Sequence, residues 1–89
     1  MTKTQKLNPE SYNQLLALAV RDKRKKLGLT QEKLGELAGI HRTHIGFIEQ
    51  SSRNTTIETL CRIANAMDIT PGDLLLLAES EKIRNKYVD

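Results

Sequence analysis

Between Gly39 and Glu49 the chain reads Gly-Ile-His-Arg-Thr-His-Ile-Gly-Phe-Ile-Glu. On a helix turning about 100° per residue, Ile45 and Ile48 fall on one side, and Arg42, Thr43, Gly46 and Phe47 on the other. That second side offers a five-donor guanidinium fork, a hydroxyl, an apolar ring and a residue with no side chain at all. These groups recognise a surface; none of them makes or breaks bonds. Elsewhere there is no Ser/His/Asp or Cys/His set, no phosphate-cradling glycine loop and no paired carboxylates facing a cleft, so no enzyme is expected. His41 and His44 stand at a spacing that could supply two metal ligands. His41 falls at a helix cap, however, and no Cys/His cluster offers a third and fourth ligand, so neither metal nor cofactor nor small-molecule ligand is expected.

Charge adds a second feature. The run Arg21-Asp-Lys-Arg-Lys-Lys26 holds five bases in six residues, with Lys3 and Lys6 upstream, while residues 31–89 are close to neutral. Two explanations stand: a polyanionic partner for the first third, or a solvated helix end whose cations suit the macrodipole. Cys61 is the lone cysteine, so no internal disulfide can form. The longest apolar runs, 15–20 and 74–78, fall far short of the roughly 20 residues of a membrane span. With no signal-peptide layout at the start, a cytoplasmic location is expected.

Five helices are predicted to carry these residues. The chain is 38% hydrophobic but only 3% aromatic and has no Trp, a composition that favours aliphatic packing between helices over a β-sandwich. Asn8-Pro9-Glu10 starts helix 1, in which Tyr12, Leu15, Leu16, Ala19, Val20 and Leu27 recur at helical spacing until Gly28 ends it. Thr30 caps a short helix from Gln31 to Ala38 with Leu34, Leu37 and Ala38 inward, and Gly39 stops it. A third helix runs from near Arg42 to about Gln50. Thr55 and Glu58 form a capping box for a fourth, whose buried stripe is Ile57, Leu60, Cys61, Ala64 and Met67. Thr70-Pro71-Gly-Asp73 caps a fifth through Leu77. The expected division is an arm over 1–8, an all-α domain over 9–78, and a tail over 79–89 that prolongs the last helix or frays.

The middle of the chain is the most demanding part. Two helices crossing steeply over a short turn need a residue tolerant of positive φ at the corner, which Gly39 provides, and a small residue at the crossing, which Gly35 provides. Leu34, Ala38, Ile40, Ile45 and Ile48 then line a shared inner face. This is the spacing of a helix-turn-helix. From about Val20 to Leu76 the chain resembles the phage repressor and Cro-type helix-turn-helix transcriptional regulators. The resemblance is carried by Arg24-Lys-Lys-Leu-Gly-Leu-Thr-Gln31, Leu34-Gly-Glu-Leu-Ala-Gly39, His41-Arg-Thr43, Ile45, Ile48-Glu49, Arg53-Asn54 and Thr59-Leu60-Cys-Arg-Ile-Ala64. The His41-Arg-Thr43 run and the segment from Arg53 to Leu60 are most like the controller proteins of restriction–modification operons. Glu49-Gln50-Ser51 departs from the family, which usually places a basic residue or Asn and then Gly there, and His41 replaces the more usual Ser, Asp or Thr cap.

The resemblance implies a compact five-helix fold of the phage repressor type, with its third helix in the DNA major groove. Arg42 would then pair with guanine O6 and N7, Thr43 would bond a base or touch a thymine methyl, and Gly46 would allow close approach. Phe47 either meets a thymine methyl or serves as a core or dimer residue. Gln31, Lys33, His44, Arg53 and Asn54 are the expected phosphate contacts, the alternative for each charged one being an ordinary exposed charge. In similar proteins the arginine of helix 1 pairs with the glutamate ending the recognition helix, which assigns Arg24 and Glu49 to structure.

One such helix reads only a few base pairs, so a homodimer on an operator with two-fold related half-sites about 34 Å apart is expected. Leu74 to Leu77 are four leucines in a row on a short helix, more than a small core can take. Ile69, Leu74, Leu75 and Leu77 are therefore assigned to a self-complementary interface. An activator would also touch RNA polymerase. Two rivals keep the fold: a phage-type repressor, and an antitoxin-like protein-binding module with secondary DNA binding, which would usually carry a longer arm than the eight residues before helix 1.

Overall fold

Asn8 accepts a hydrogen bond from the Ser11 N–H and Pro9 follows it, so the first helix begins at the first strong start signal in the chain. In the computed structural model, which describes residues 8–88, six helices follow one another: α1 (Pro9–Lys26), α2 (Gln31–Ala38), α3 (Arg42–Glu49), α4 (Ile57–Ala66), α5 (Pro71–Ala78) and α6 (Glu81–Val88). No strand occurs among the described residues. The arm expected over 1–8 lies, except for Asn8, outside them.

Each junction has a local cause. Gly28, at φ +72°, ends α1, and the N–H groups of Leu29 and Gly28 bond back to the Arg24 and Lys25 carbonyls. Thr30 caps α2 through the Lys33 N–H, and Thr70 caps α5 through that of Asp73. Ser51 ends α3 at φ +59°, so the departure from glycine at this position leaves the left-handed cap in place.

The core runs through the centre as Leu15, Leu16, Ala19 and Val20 of α1, Leu34 of α2, Ile45 and Ile48 of α3, Leu60, Ile63 and Ala64 of α4, then Met67, Leu74, Ala78 and Ile83. Several expectations require correction. Helix α4 starts at Thr56, whose hydroxyl accepts from Thr59 N–H, so Thr55 and Glu58 do not form a capping box. The Thr55 hydroxyl is buried without a partner, and Glu58 pairs with Arg62 one turn on. Ile57, at the first position of α4, overhangs the end of the core and is exposed. Cys61 is half-buried, and Ile63 takes the central place in the stripe. Leu37 points outward because α3 and α4 cover only the Leu34 and Ala38 side of α2, and Leu27, at the end of α1, is also exposed. Of the leucine run, Leu74 is enclosed by its own chain and offers nothing to a partner; the outward residue is Leu76.

The sixth helix is the largest correction to the expected count of five. Ser80 makes the corner: its hydroxyl donates to the Leu77 carbonyl and accepts from Ile83 N–H. Ile83 then enters the core, and Lys82 and Lys86 bond Asp22 of α1 at 3.2 and 2.7 Å. Burial alone would raise the Asp22 carboxyl, but the hydrogen bonds from Lys86 and Lys82 outweigh it and hold the group below the usual carboxylate range. A depressed folded value means that this attachment is fully present above the unfolded carboxyl value, about 4, and is lost as pH falls through the folded one. Amide exchange in α6 should therefore accelerate below about pH 4. Asp22→Asn should produce the same loosening at neutral pH, about 1 kcal/mol after discounting for lysines nearly half exposed. Unchanged protection of α6 in the variant would show that the Asp22 attachment does not hold it. At the other end of α1, Tyr12 donates to Glu79, and burial together with that carboxylate pushes its hydroxyl up to about 12.

Candidate nucleic-acid interface

The candidate surface lies on α3, a helix of eight residues whose inward side is only Ile45 and Ile48. His41 starts it, with Nδ1 accepting from the Thr43 N–H at 3.1 Å, so the imidazole does the work of the missing Ser or Asp. Arg42 and Thr43 are exposed on the opposite side, and His44, Gly46 and Phe47 are half-exposed.

What holds this helix against α2 is close backbone approach. A Cβ on Gly35 would stand 2.4 Å from the Ile40 carbonyl oxygen and 3.3 Å from Arg42 N. Gly39 turns the corner at φ +71°, and the Ile40 N–H bonds back to the Gly35 carbonyl. The far end of α3 is fixed electrostatically. Arg24 Nε and Nη2 donate to the two Glu49 carboxylate oxygens at 2.7 and 3.0 Å, and Nη1 donates to the Leu29 carbonyl at 2.8 Å. The side chains of the pair are 10% and 3% exposed. Gln31 Nε2 also donates to Glu49, at 3.2 Å. One carboxylate therefore ties together the end of α1, the start of α2 and the end of α3. Arg24, though part of the basic run, is occupied by this structural contact.

Gln31, assigned to phosphate from the sequence, has its amide nitrogen engaged by Glu49, while its amide oxygen lies 3.7 Å from where a Gly46 Cβ would be. Arg53 stacks its guanidinium 4.9 Å from the Phe47 ring centroid. Gln31, Gly46, Phe47 and Arg53 thus adjoin one another beside Arg42 and Thr43. Lys33 pairs with Glu36 on the exposed side of α2. Asn54 lies apart, lining an apolar groove with Tyr12, Asn13, Ile57 and Leu75. Two contacts escaped the sequence reading. The Arg53–Phe47 stack joins residues six apart across a loop. Glu32 of α2 accepts from Arg42 Nη1 at 3.3 Å, across the turn. Neither has a periodic signal. Among the described residues no group of three or more His, Cys, Asp or Glu side chains could hold a metal ion, and no helix is long and apolar enough to cross a membrane.

Comparison with known proteins agrees with this geometry. The helix-turn-helix family model matches residues 20–74. Control protein C.SmaI of Serratia marcescens is 42% identical over 62 residues, which cover 70% of this chain and 74% of that protein. The crystal structure of the restriction-modification controller protein C.AhdI from Aeromonas hydrophila superposes with a TM-score of 0.68 at 32% identity, covering 70% of this chain and 94% of that one. The restriction-modification controller protein C.Esp1396I does so with a TM-score of 0.74 at 27% identity, over 84% and 95%. A family match over more than half of the chain, which takes in the α2–α3 crossing and the face carrying Arg42 and Thr43, makes this chain a member of the helix-turn-helix family.

Proposed function

We propose that the protein is a sequence-specific, double-stranded-DNA-binding transcriptional regulator of the restriction–modification controller kind, with α3 in the major groove. The observation that carries this reading is the exposed face of Arg42 and Thr43, flanked by Gly46 and Phe47, on a helix anchored at both ends. Arg42 reads guanine, Thr43 and Phe47 meet neighbouring base edges, and Gly46 leaves room for the duplex. Gln31, Lys33, His44 and Arg53 are the phosphate contacts of this reading, with Arg53 buttressed by the Phe47 ring, whereas Asn54, which lines the apolar groove with Ile57 and Leu75, is not among them. Footprinting tests it: Arg42→Ala should lose discrimination at one guanine per half-site, by about 1–3 kcal/mol or roughly 5- to 150-fold. A uniform, sequence-blind weakening would remove Arg42 from base reading.

The regulator acts as a homodimer. Ile57 and Leu76 are 74% and 67% exposed, and Ile57 shares an apolar groove with Leu75. These three form the centre of the interface, with half-buried Leu77 and Ile69 at its margin. Leu76→Asp should weaken association at least about 100-fold, the effect of losing a central apolar anchor. Sedimentation is the measurement, and a wild-type chain that stays monomeric at tens of micromolar, roughly the affinity range of weak dimers, would defeat the interface.

A further inference from the structure

Arg42 is not free on its helix. Its Nη1 donates to Glu32 Oε2 at 3.3 Å, and both side chains are about two-thirds exposed, 64% and 63%. Glu32 sits in the first turn of α2, the position where a helix favours a carboxylate. The other acid of that helix, Glu36, is paired with Lys33, so Glu32 is the one directed at α3. Between them lies the crossing closed by Gly35, which fixes the distance from α2 to the start of α3.

A guanidinium carries five N–H donors, and this contact uses one of them. The second Nη1 hydrogen and those of Nη2 remain, enough for the two acceptors of guanine. The carboxylate has only acceptors, so it attracts Arg42 while repelling guanine O6 and N7 and the phosphates on either side. Such a group lowers affinity for any duplex in general. It also steadies the one side chain that distinguishes guanine, whose long stem otherwise has much rotamer freedom to lose.

We infer that Glu32 is a specificity-determining positioning residue, which orients Arg42 for guanine and disfavours sequence-blind binding. This rests on the DNA-reading role of α3. It predicts opposite changes in two quantities: without Glu32, preference for guanine falls while affinity for unrelated duplex rises.

The test is selection of bound sequences from a random duplex pool by the full-length wild type, Glu32→Ala, Glu32→Gln, Arg42→Ala and the Glu32→Ala/Arg42→Ala pair. Titration against a fixed unrelated duplex accompanies it. Arg42→Ala is expected to erase one guanine per half-site. Both Glu32 variants are expected to lower preference for that same guanine about two- to fivefold, the scale of an exposed ion pair, and to bind the unrelated duplex more tightly. In the Arg42→Ala background, Glu32→Ala is expected to change the selected sequences no further, because the effect runs through Arg42. If Glu32→Ala and Glu32→Gln keep the full guanine preference while Arg42→Ala loses it, the positioning role is overturned and the reading of α3 stands. If Arg42→Ala also keeps it, both fall.

Discussion

Glu49→Ala is expected to destabilise the fold by about 3–5 kcal/mol, because it strands a buried arginine. Arg24 would keep only the Leu29 carbonyl as a partner, with a guanidinium that is mostly buried, and Gln31 would lose its acceptor as well. Small domains are stable by about 5–15 kcal/mol, so urea unfolding should show a midpoint lowered by roughly a fifth or more. The intact pair need not be a net stabiliser, since desolvating two charges offsets much of their attraction. The double substitution Arg24→Met/Glu49→Leu separates the two effects: it removes the stranded charge and should recover most of the lost stability. It should not recover DNA affinity, because a bidentate pair sets the angle of α3 and two apolar side chains do not. A Glu49→Ala protein within about 1 kcal/mol of wild type would mean that water reaches Arg24 and that the pair is in effect a surface one.

The contrast between this pair and the sixth helix shows what the sequence makes legible. The α2–α3 unit announces itself because its requirements are local: glycine at the crossing and at the corner, and aliphatic residues at helical spacing, all within a short segment. Its exposed face could be read at once as the complement of Ile45 and Ile48. Helix α6 is invisible by the same method. Its buried contact is the single residue Ile83, and its ionic attachments reach Asp22 across 60 and 64 positions. The four leucines of α5 present the same difficulty in another form. Their number shows that some must face outward, but only the positions of α1 and α4 decide that Leu74 turns in and Leu76 out. The Glu32–Arg42 contact likewise depends on the crossing angle of two helices, which composition and periodicity do not encode.

Gly35→Val is expected to cost about 3 kcal/mol or more in stability, and to abolish operator binding before the protein unfolds, whereas Gly46→Ala should slightly stabilise it. Both glycines lie inside helices, where replacement by alanine ordinarily gains about 1 kcal/mol. The difference is in what a Cβ would meet. At Gly35 it meets the Ile40 carbonyl oxygen at 2.4 Å and the Arg42 backbone beyond it, atoms that no side-chain rotation can clear. Gly35→Ala therefore sets an overpacking cost of about 1–3 kcal/mol against the propensity gain, for a net loss on the order of 1 kcal/mol. The γ-methyls of valine exceed anything the propensity term can offset. Relief comes only by moving α3 away from α2, which shifts Arg42 from Glu32 and from the duplex together. At Gly46 the nearest atom is Gln31 Oε1 at 3.7 Å, an ordinary contact, so the added methyl is tolerated by the fold. It projects instead toward the face assigned to DNA, and operator affinity should fall while the urea midpoint rises. Affinity and stability thus move together at Gly35 and in opposite directions at Gly46. A Gly46→Ala protein that gains stability and keeps full operator affinity would show that the duplex does not approach α3 at that point.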